Sequence, residues 1–266
     1  MTLATWNVNS IRSRLDRVLD WLDRRDVDVL AIQETKCRDD QFPEERFAEH
    51  GYEVAHVGQG AWNGVAIASR VGLDGVAVGF DGQPGFDRDA ETALIPMPVV
   101  DARAIAATCA EVRVWSLYVP NGRGLTDPHY AYKLEWLAAL HTQAVGWLAD
   151  PDARIALAGD WNIAPTDDDV WSPEFFAGKT HTSAPEREVF ASFLDAGYHD
   201  MLRRFAPGPG VYTYWDYTRL RFPRREGMKI DFVLASPALA HDVETAEIDA
   251  AERARDGASD HAPVLV

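Results

Sequence analysis

The sequence predicts an α/β fold, and three observations carry that prediction. Short apolar runs of strand length alternate with runs of helical period from one end of the chain to the other. No Pro-, Gly- or Ser-rich linker divides the 266 residues, so residues 1–266 read as a single domain. The hydrophobic fraction of 47% is ordinary for a globular protein with a substantial core.

The elements follow in order. Leu3 to Asn7 reads as a strand ending in "WNVNS". Ile11, Leu15, Val18, Leu19 and Leu22 then fall on one stripe of a helix, with Ser10 as its N-cap. "VDVLAIQETK" is a buried strand, apolar until Gln33 and Glu34, and a short helix is expected over Pro43 to His50. "YEVAHV" and "GVAIAS" read as a strand pair, and the Gly- and Asp-rich segment Gly72 to Ala90 as a loop. "ARAIAATCAEVRVWSLYVPNGRG" reads as two strands with a hairpin at Ala110–Glu111. A long helix is expected from Asp127 to Leu148, and "ARIALAGDWNIAPTD" contains the next strand, Ile155 to Ala158. Glu186 to Asp195 is helical, and "DMLRRF" adds a further turn or two. "VYTYWDY" and "KIDFVLAS" read as strands, and "SDHAPVLV" as a turn into the last one.

Composition narrows the classes of function. The start has no apolar signal-peptide region, and no apolar run approaches membrane-spanning length. Cys37 and Cys109 have no metal-ligand spacing and form no disulfide framework. A soluble, cytoplasmic protein with no membrane contact is the simplest reading. The net charge of −16 argues against a simple nucleic-acid binder. The charge is uneven, however. "RLRFPRREGMK" carries Arg219, Arg221, Arg224, Arg225 and Lys229 against Glu226 alone, whereas residues 242–256 hold six acids against two arginines. That basic stretch is either a functional surface or a chance loop in a solvated exterior.

Polar residues recur at the strand ends: Asn7 and Asn9, Glu34, Tyr118 and Asn121, Asp160 and Asn162, Asp231, and Asp260 with His261. In an open α/β arrangement, ligands collect at strand ends. Asp160 and Asn162 lie at i and i+2, which on a strand is one face; the alternative is an Asx-type turn closing the strand. Glu34, Asp260 and the amide of Asn7 or Asn9 are oxygen donors suited to Mg²⁺ or Mn²⁺, and no Cys/His cluster suggests zinc. Asp160 is placed to deprotonate a water that Asn162 orients. His261 is placed to stabilise developing negative charge, with Asp231 setting its tautomer. Tyr118 and Asn121 add donors for phosphate oxygens. Each has a plain alternative: Glu34 an exposed acid, Tyr118 a core residue, Asp260–His261 a turn before Pro263. Asp231, inside an apolar strand, needs a partner in any case.

"WNVNSIR", "QETK", "GVAI", "YVPNG", "GDWNIAPTD", "KIDFVLAS" and "SDHAPV" occur in this order, over residues 3 to 265. The set resembles the exonuclease III family of AP endonucleases, within the endonuclease/exonuclease/phosphatase superfamily. The resemblance implies a four-layer α/β sandwich, two packed, mainly antiparallel or mixed β-sheets flanked by helices. It implies Mg²⁺-dependent hydrolysis of double-stranded DNA 5′ to abasic sites, with 3′–5′ exonuclease and 3′-phosphatase activity on blocked ends, by a monomer. By resemblance, Glu34 is the main metal ligand with Asn7 and Asp260 nearby. Asp160 activates water beside Asn162, His261 pairs with Asp231 and meets the scissile phosphate, and Tyr118 approaches the same phosphate. Apart from the resemblance, the position of the basic loop between Tyr214 and Asp231 leads to the expectation that Arg219, Arg221, Arg224 and Arg225, with Asn121, contact DNA phosphates. Tyr214, Met228 and Ile230 match the pocket for a flipped abasic sugar. The chain departs from the family pattern at Tyr214 and Met228, where Trp or Phe and Trp or Leu are expected, and at Asn9, where some relatives carry Asp. Two other readings stand beside this one: a superfamily phosphodiesterase acting on a non-DNA ester, and a catalytically silent DNA-binding relative.

Overall fold

The computed structural model describes residues 1–60, 62–87 and 97–266. Its strands are β1 (Leu3–Asn7), β2 (Val29–Gln33), β3 (Glu53–Val57), β4 (Val65–Ser69), β5 (Asp74–Val78) and β6 (Ala104–Cys109). They continue with β7 (Val112–Tyr118), β8 (Ile155–Asp160), β9 (His199–Asp200), β10 (Asp231–Ala235), β11 (Glu247–Ile248) and β12 (Val264–Leu265). The helices are α1 (Ile11–Arg25), α2 (Glu44–Glu49), α3 (Pro128–Trp147), α4 (Pro173–Phe176), α5 (Ala184–Asp195), α6 (Met201–Phe205), α7 (Pro237–Asp242) and α8 (Ala250–Arg253). Two six-stranded sheets result, ordered β11-β12-β1-β2-β4-β3 and β5-β6-β7-β8-β10-β9. Each has one parallel pair, β1 with β2 and β7 with β8, bridged in sequence by α1 and α3; the other pairs are antiparallel. These are the mixed sheets of the expected sandwich.

Strand alternation builds the layers. Leu3, Val29, Ala31, Val65 and Ile67 of the first sheet meet Ile105, Val114, Ala156, Ala158 and Val233 of the second. The intervening residues face outward onto helices. Ala4, Trp6, Leu30 and Ile32 pack with Val18, Leu19, Trp21 and Leu22 of α1. Trp115, Leu157, Phe232 and Leu234 pack with Trp136, Leu137 and Leu140 of α3 and Phe190 and Phe193 of α5. Strands covered on both faces show no polar alternation, which is why they read as continuous apolar runs.

Three expectations need correction. "VYTYWDY" is no strand: Tyr214 makes only isolated bridges, to Met228 and His261. The segment from Gly72 contains β5 at the edge of the second sheet, paired to β6 with a register shift; residues 88–90 lie outside the described residues. Ser10 stands at the start of α1 at φ 90°, and its side chain caps nothing. Instead the Ser10 and Ile11 N–H groups donate to the carbonyls of Glu34 and Thr35, at 2.8 and 3.1 Å. The start of α1 is thereby tied to the loop that carries Glu34.

Candidate active site

Both parallel strand pairs end at the same edge of the sandwich. Tyr118 ends β7, Asp160 ends β8 beside it, and Asp231 begins β10 directly opposite Asp160. Gly159 is required where it stands, because a Cβ there would lie 1.9 Å from the Leu117 carbonyl oxygen. Two carboxylates facing each other across adjacent strands repel. His261 answers that repulsion. It sits in the turn before β12, its Nδ1 is 2.9 Å from Asp231 Oδ2, and its Nε2 is 3.8 Å from Asp160 Oδ2. Ligand atoms of all three lie within 4.8 Å of one another. Burial disfavours the imidazolium, but the flanking Asp231 and Asp160 outweigh it and raise the His261 pKa. Burial pushes the Asp160 carboxyl up, to about 7, against the pull of His261. Thr213, which the sequence reading passed over, donates its hydroxyl to Asp231 at 2.6 Å and accepts the Asp231 N–H at 3.1 Å.

The first sheet brings Glu34 to the same edge. Asn7 Nδ2 donates to Glu34 Oε1 and to Asp160 Oδ2, both at 2.9 Å, and so links the two sheets. Its Oδ1 accepts the Asn9 N–H, so the nitrogen of this amide, rather than its oxygen, faces the carboxylates. Lys36 Nζ lies 2.7 Å from Glu34 Oε2 and also reaches Asn9 Oδ1. Burial raises the Glu34 pKa, but Lys36 and the Asn7 amide prevail and hold it below the usual carboxylate range. Burial, followed by the nearby Glu34 charge, raises the Tyr118 pKa well above its usual value. Asp260 Oδ1 accepts from Asn9 Nδ2 at 3.0 Å. Asn9, Glu34, Lys36, Asn162 and His181 all carry positive φ without being glycine. Such strain collects where surrounding structure holds a functional geometry.

Asp160 and Asn162 do meet, though not through the strand pleat. β8 stops at Asp160, Asn162 takes φ 52°, and its N–H donates to Asp160 Oδ1 at 2.9 Å. The Asx-type turn and the shared cavity are one arrangement. Asn162 Nδ2 donates to the Val119 carbonyl and its Oδ1 accepts from Asn121 Nδ2, leaving one amide hydrogen to spare.

These groups open on a cavity of about 140 Å³ lined by Glu34, Tyr118, Asn121, Asp160, Asn162, Asp260 and His261 on its polar side. Tyr214, Met228, Ile230 and His181 close the other side. Asn7 and Asp231 stand behind the lining. The Tyr214 and His261 rings lie 4.8 Å apart.

Sequence reasoning missed His181 and the pair that supports it. His181 Nδ1 lies 2.5 Å from the Asn162 carbonyl, and burial followed by the Lys133 charge lowers its pKa to about 4. Lys133 and Glu186 form an ion pair at 2.5 Å with neither side chain exposed. Lys133 also donates to the carbonyls of Asn162 and Asn121, and Glu186 accepts from Thr180 and from the His181 N–H. Two signals were available. Lys133 occupies the apolar stripe of α3 between Tyr132 and Trp136, and Ser183–Glu186 has capping-box spacing.

The basic loop does lie beside the site, but two of its arginines are already engaged. Arg221 pairs with Glu226 at 2.8 Å, and Arg224 shares the same carboxylate. Arg219 and Arg225 are exposed and make no ion pair among the described residues.

An oxygen-rich cavity with a buried Asp–His–Asp group, at the edge of a two-sheet sandwich, has the base and donors of a phosphoester hydrolase. The Endonuclease/Exonuclease/phosphatase family matches residues 4–261. An exodeoxyribonuclease of Bacillus subtilis is 30% identical over 269 residues, covering 99% of this chain and 98% of the relative. A 3′–5′ exonuclease from Neisseria meningitidis superposes with a TM-score of 0.89 at 37% identity, covering 100% of this chain and 98% of that one. An AP endonuclease from Archaeoglobus fulgidus superposes with a TM-score of 0.90 at 33% identity, with the same coverage. The chain belongs to the Endonuclease/Exonuclease/phosphatase family, and within it to the exonuclease III family of AP endonucleases.

Proposed function

We propose that this enzyme is a Mg²⁺-dependent DNA repair nuclease. It hydrolyses the phosphodiester 5′ to an abasic site in double-stranded DNA and trims 3′ ends as an exonuclease and phosphatase. The observation that carries the reading is that Asp160 and His261, the latter backed by Asp231, face the same cavity as Glu34. Asp160, fixed by Asn7 and by the Asn162 N–H, accepts the proton of the attacking water. Asp231 holds the Nδ1–H of His261, which leaves Nε2–H to donate to a phosphoryl oxygen as charge develops there. The spare amide hydrogen of Asn162, the Asn121 amide and the Tyr118 hydroxyl orient the remaining oxygens.

The donor set fits a hard divalent cation. Glu34 and Asp260 present carboxylate oxygens to the cavity, no thiolate is present there, and Glu34 is already held ionised beside a positive charge. Glu34 and Asp260 would hold the ion, Mg²⁺ with Mn²⁺ as a substitute, and Asn7 would fix Glu34. When bound, such an ion polarises a phosphoryl oxygen and steadies the leaving oxygen. Tyr214, Met228 and Ile230 enclose a base-free sugar.

The test is a duplex with one tetrahydrofuran abasic analogue, incubated with Mg²⁺, with Mn²⁺ and with EDTA. Cleavage on the 5′ side of the analogue, abolished by EDTA, is the expected result. Turnover in EDTA would overturn the metal dependence. Binding without cleavage would favour a silent relative. No binding would favour a non-DNA ester.

A further inference from the structure

A second cavity, of about 510 Å³, adjoins the catalytic one, and His181, Tyr214 and Met228 line both. Its far wall is aromatic. The Trp171 and Phe175 rings lie 5.0 Å apart at 39°. The Arg221 guanidinium stacks over both, 5.3 Å from Trp171 and 4.8 Å from Phe175, and is braced by Glu226. Lys179 Nζ lies 3.4 Å from the centre of the Phe175 ring. Arg219 lines the same cavity.

We propose that this aromatic cavity is a nucleobase subsite, which takes the base of an ordinary 3′-terminal nucleotide while its sugar occupies the small catalytic cavity. This rests on the nuclease reading above. The chemistry favours a base over other occupants. Ring faces next to cations stack on any base, whatever its sequence. Continuity with the catalytic cavity requires an occupant joined to the reacting nucleotide. The catalytic cavity holds less than a third of the neighbouring volume, so a nucleotide that keeps its base needs the second space, whereas an abasic sugar does not. The subsite therefore serves exonucleolytic release of normal nucleotides and is idle when an abasic site is cut.

The test compares two duplexes of one sequence in Mg²⁺. One is blunt, with 2-aminopurine as the 3′-terminal base; the other carries an internal tetrahydrofuran analogue. Trp171→Leu and Phe175→Leu are compared with wild type, with folding checked by circular dichroism. Release of the terminal nucleotide should fall on the order of tenfold more than abasic cleavage does, chiefly through KM. With Ca²⁺ in place of Mg²⁺, wild type should quench terminal 2-aminopurine and both variants should lose that quenching. Phe175→Leu, at a half-buried position, serves alone if Trp171→Leu does not fold. An equal loss of both activities would overturn the subsite. So would an absence of quenching in a wild type that cleaves both duplexes, and in either case the nuclease reading stands. If wild type cleaves neither duplex, the nuclease reading itself fails and the subsite with it.

Discussion

Two clusters of buried charge lie within a few residues of each other in this fold. Asp160 and His261 face a cavity, with Asp231 behind them; Lys133 and Glu186 face only protein. Both are hydrogen-bonded throughout, as buried charges must be. The difference is where spare hydrogen-bonding capacity points. His261 has a free nitrogen and Asp160 a carboxylate edge on the cavity. Lys133 spends its donors on Glu186 and on the carbonyls of Asn121 and Asn162, while Glu186 is spent on Lys133, Thr180, Ser183 and His181. Buried charge alone therefore does not mark chemistry. The closed pair positions loops, and the open group is left to act on a ligand.

The largest effect expected is on turnover. Asp160→Asn keeps the size of the side chain, gives up one of its two accepted hydrogen bonds and removes the base, so kcat on an abasic duplex should drop by about 10²–10⁴-fold in a variant that still folds. A near-normal rate in a folded variant would remove the distinction drawn here.

The closed pair should behave in the opposite way. Glu186→Gln leaves Lys133 as an uncompensated buried charge, which costs about 3–5 kcal/mol and should appear as a large drop in denaturant midpoint. Adding Lys133→Met should recover only part of that loss, because the single amide oxygen of glutamine cannot replace both carboxylate oxygens, one accepting from His181 and Thr180 and the other from Ser183. A midpoint unchanged in the single variant would show that the pair does not hold the loops.

Glu34→Gln belongs to the open side. It should raise the Mg²⁺ concentration needed for half-maximal activity by roughly 10–100-fold while leaving the fold intact. Metal titration of the rate measures it, and an unshifted titration would exclude Glu34 from the ion.

The smallest effect concerns a third kind of buried group, one kept neutral. His129 accepts the Gly122 N–H at 3.1 Å, and burial, helped by Arg103, lowers its pKa from 6.5 to about 4. The folded chain then binds fewer protons than the unfolded one, so this stability is complete above pH 6.5 and is lost as pH falls through 4. His129→Gln should flatten the fall in melting temperature between pH 7 and pH 5. The change is partial, because His56 and His181 are also pushed to about 4. An identical pH slope in the variant would exclude His129 as a contributor.

The residues alone determined the alternating α/β elements and one strand-end residue after another, while the layered sandwich followed from the resemblance to a known family. Strand and helix periods are local: short apolar runs bounded by turn residues read as buried strands, and the stripe Ile11–Leu22 marks a helix with one face on the core. Asn7, Glu34, Tyr118, Asp160, Asp231 and His261 were legible because a polar group ending an apolar run is visible in one dimension. "VYTYWDY" misled because aromatic density imitates a strand, whereas its backbone is held by single bridges from Met228 and His261. Only the tertiary structure decided which polar groups share partners. Lys133 and Glu186 are 53 residues apart, Asn7 and Asp160 are 153 apart, and Trp171 meets Arg221 across a turn of unrelated sequence. The physical reason is that a hydrogen bond or ion pair depends on distances of about 3 Å. Those distances are set when the two sheets pack, and no local pattern in the chain encodes them.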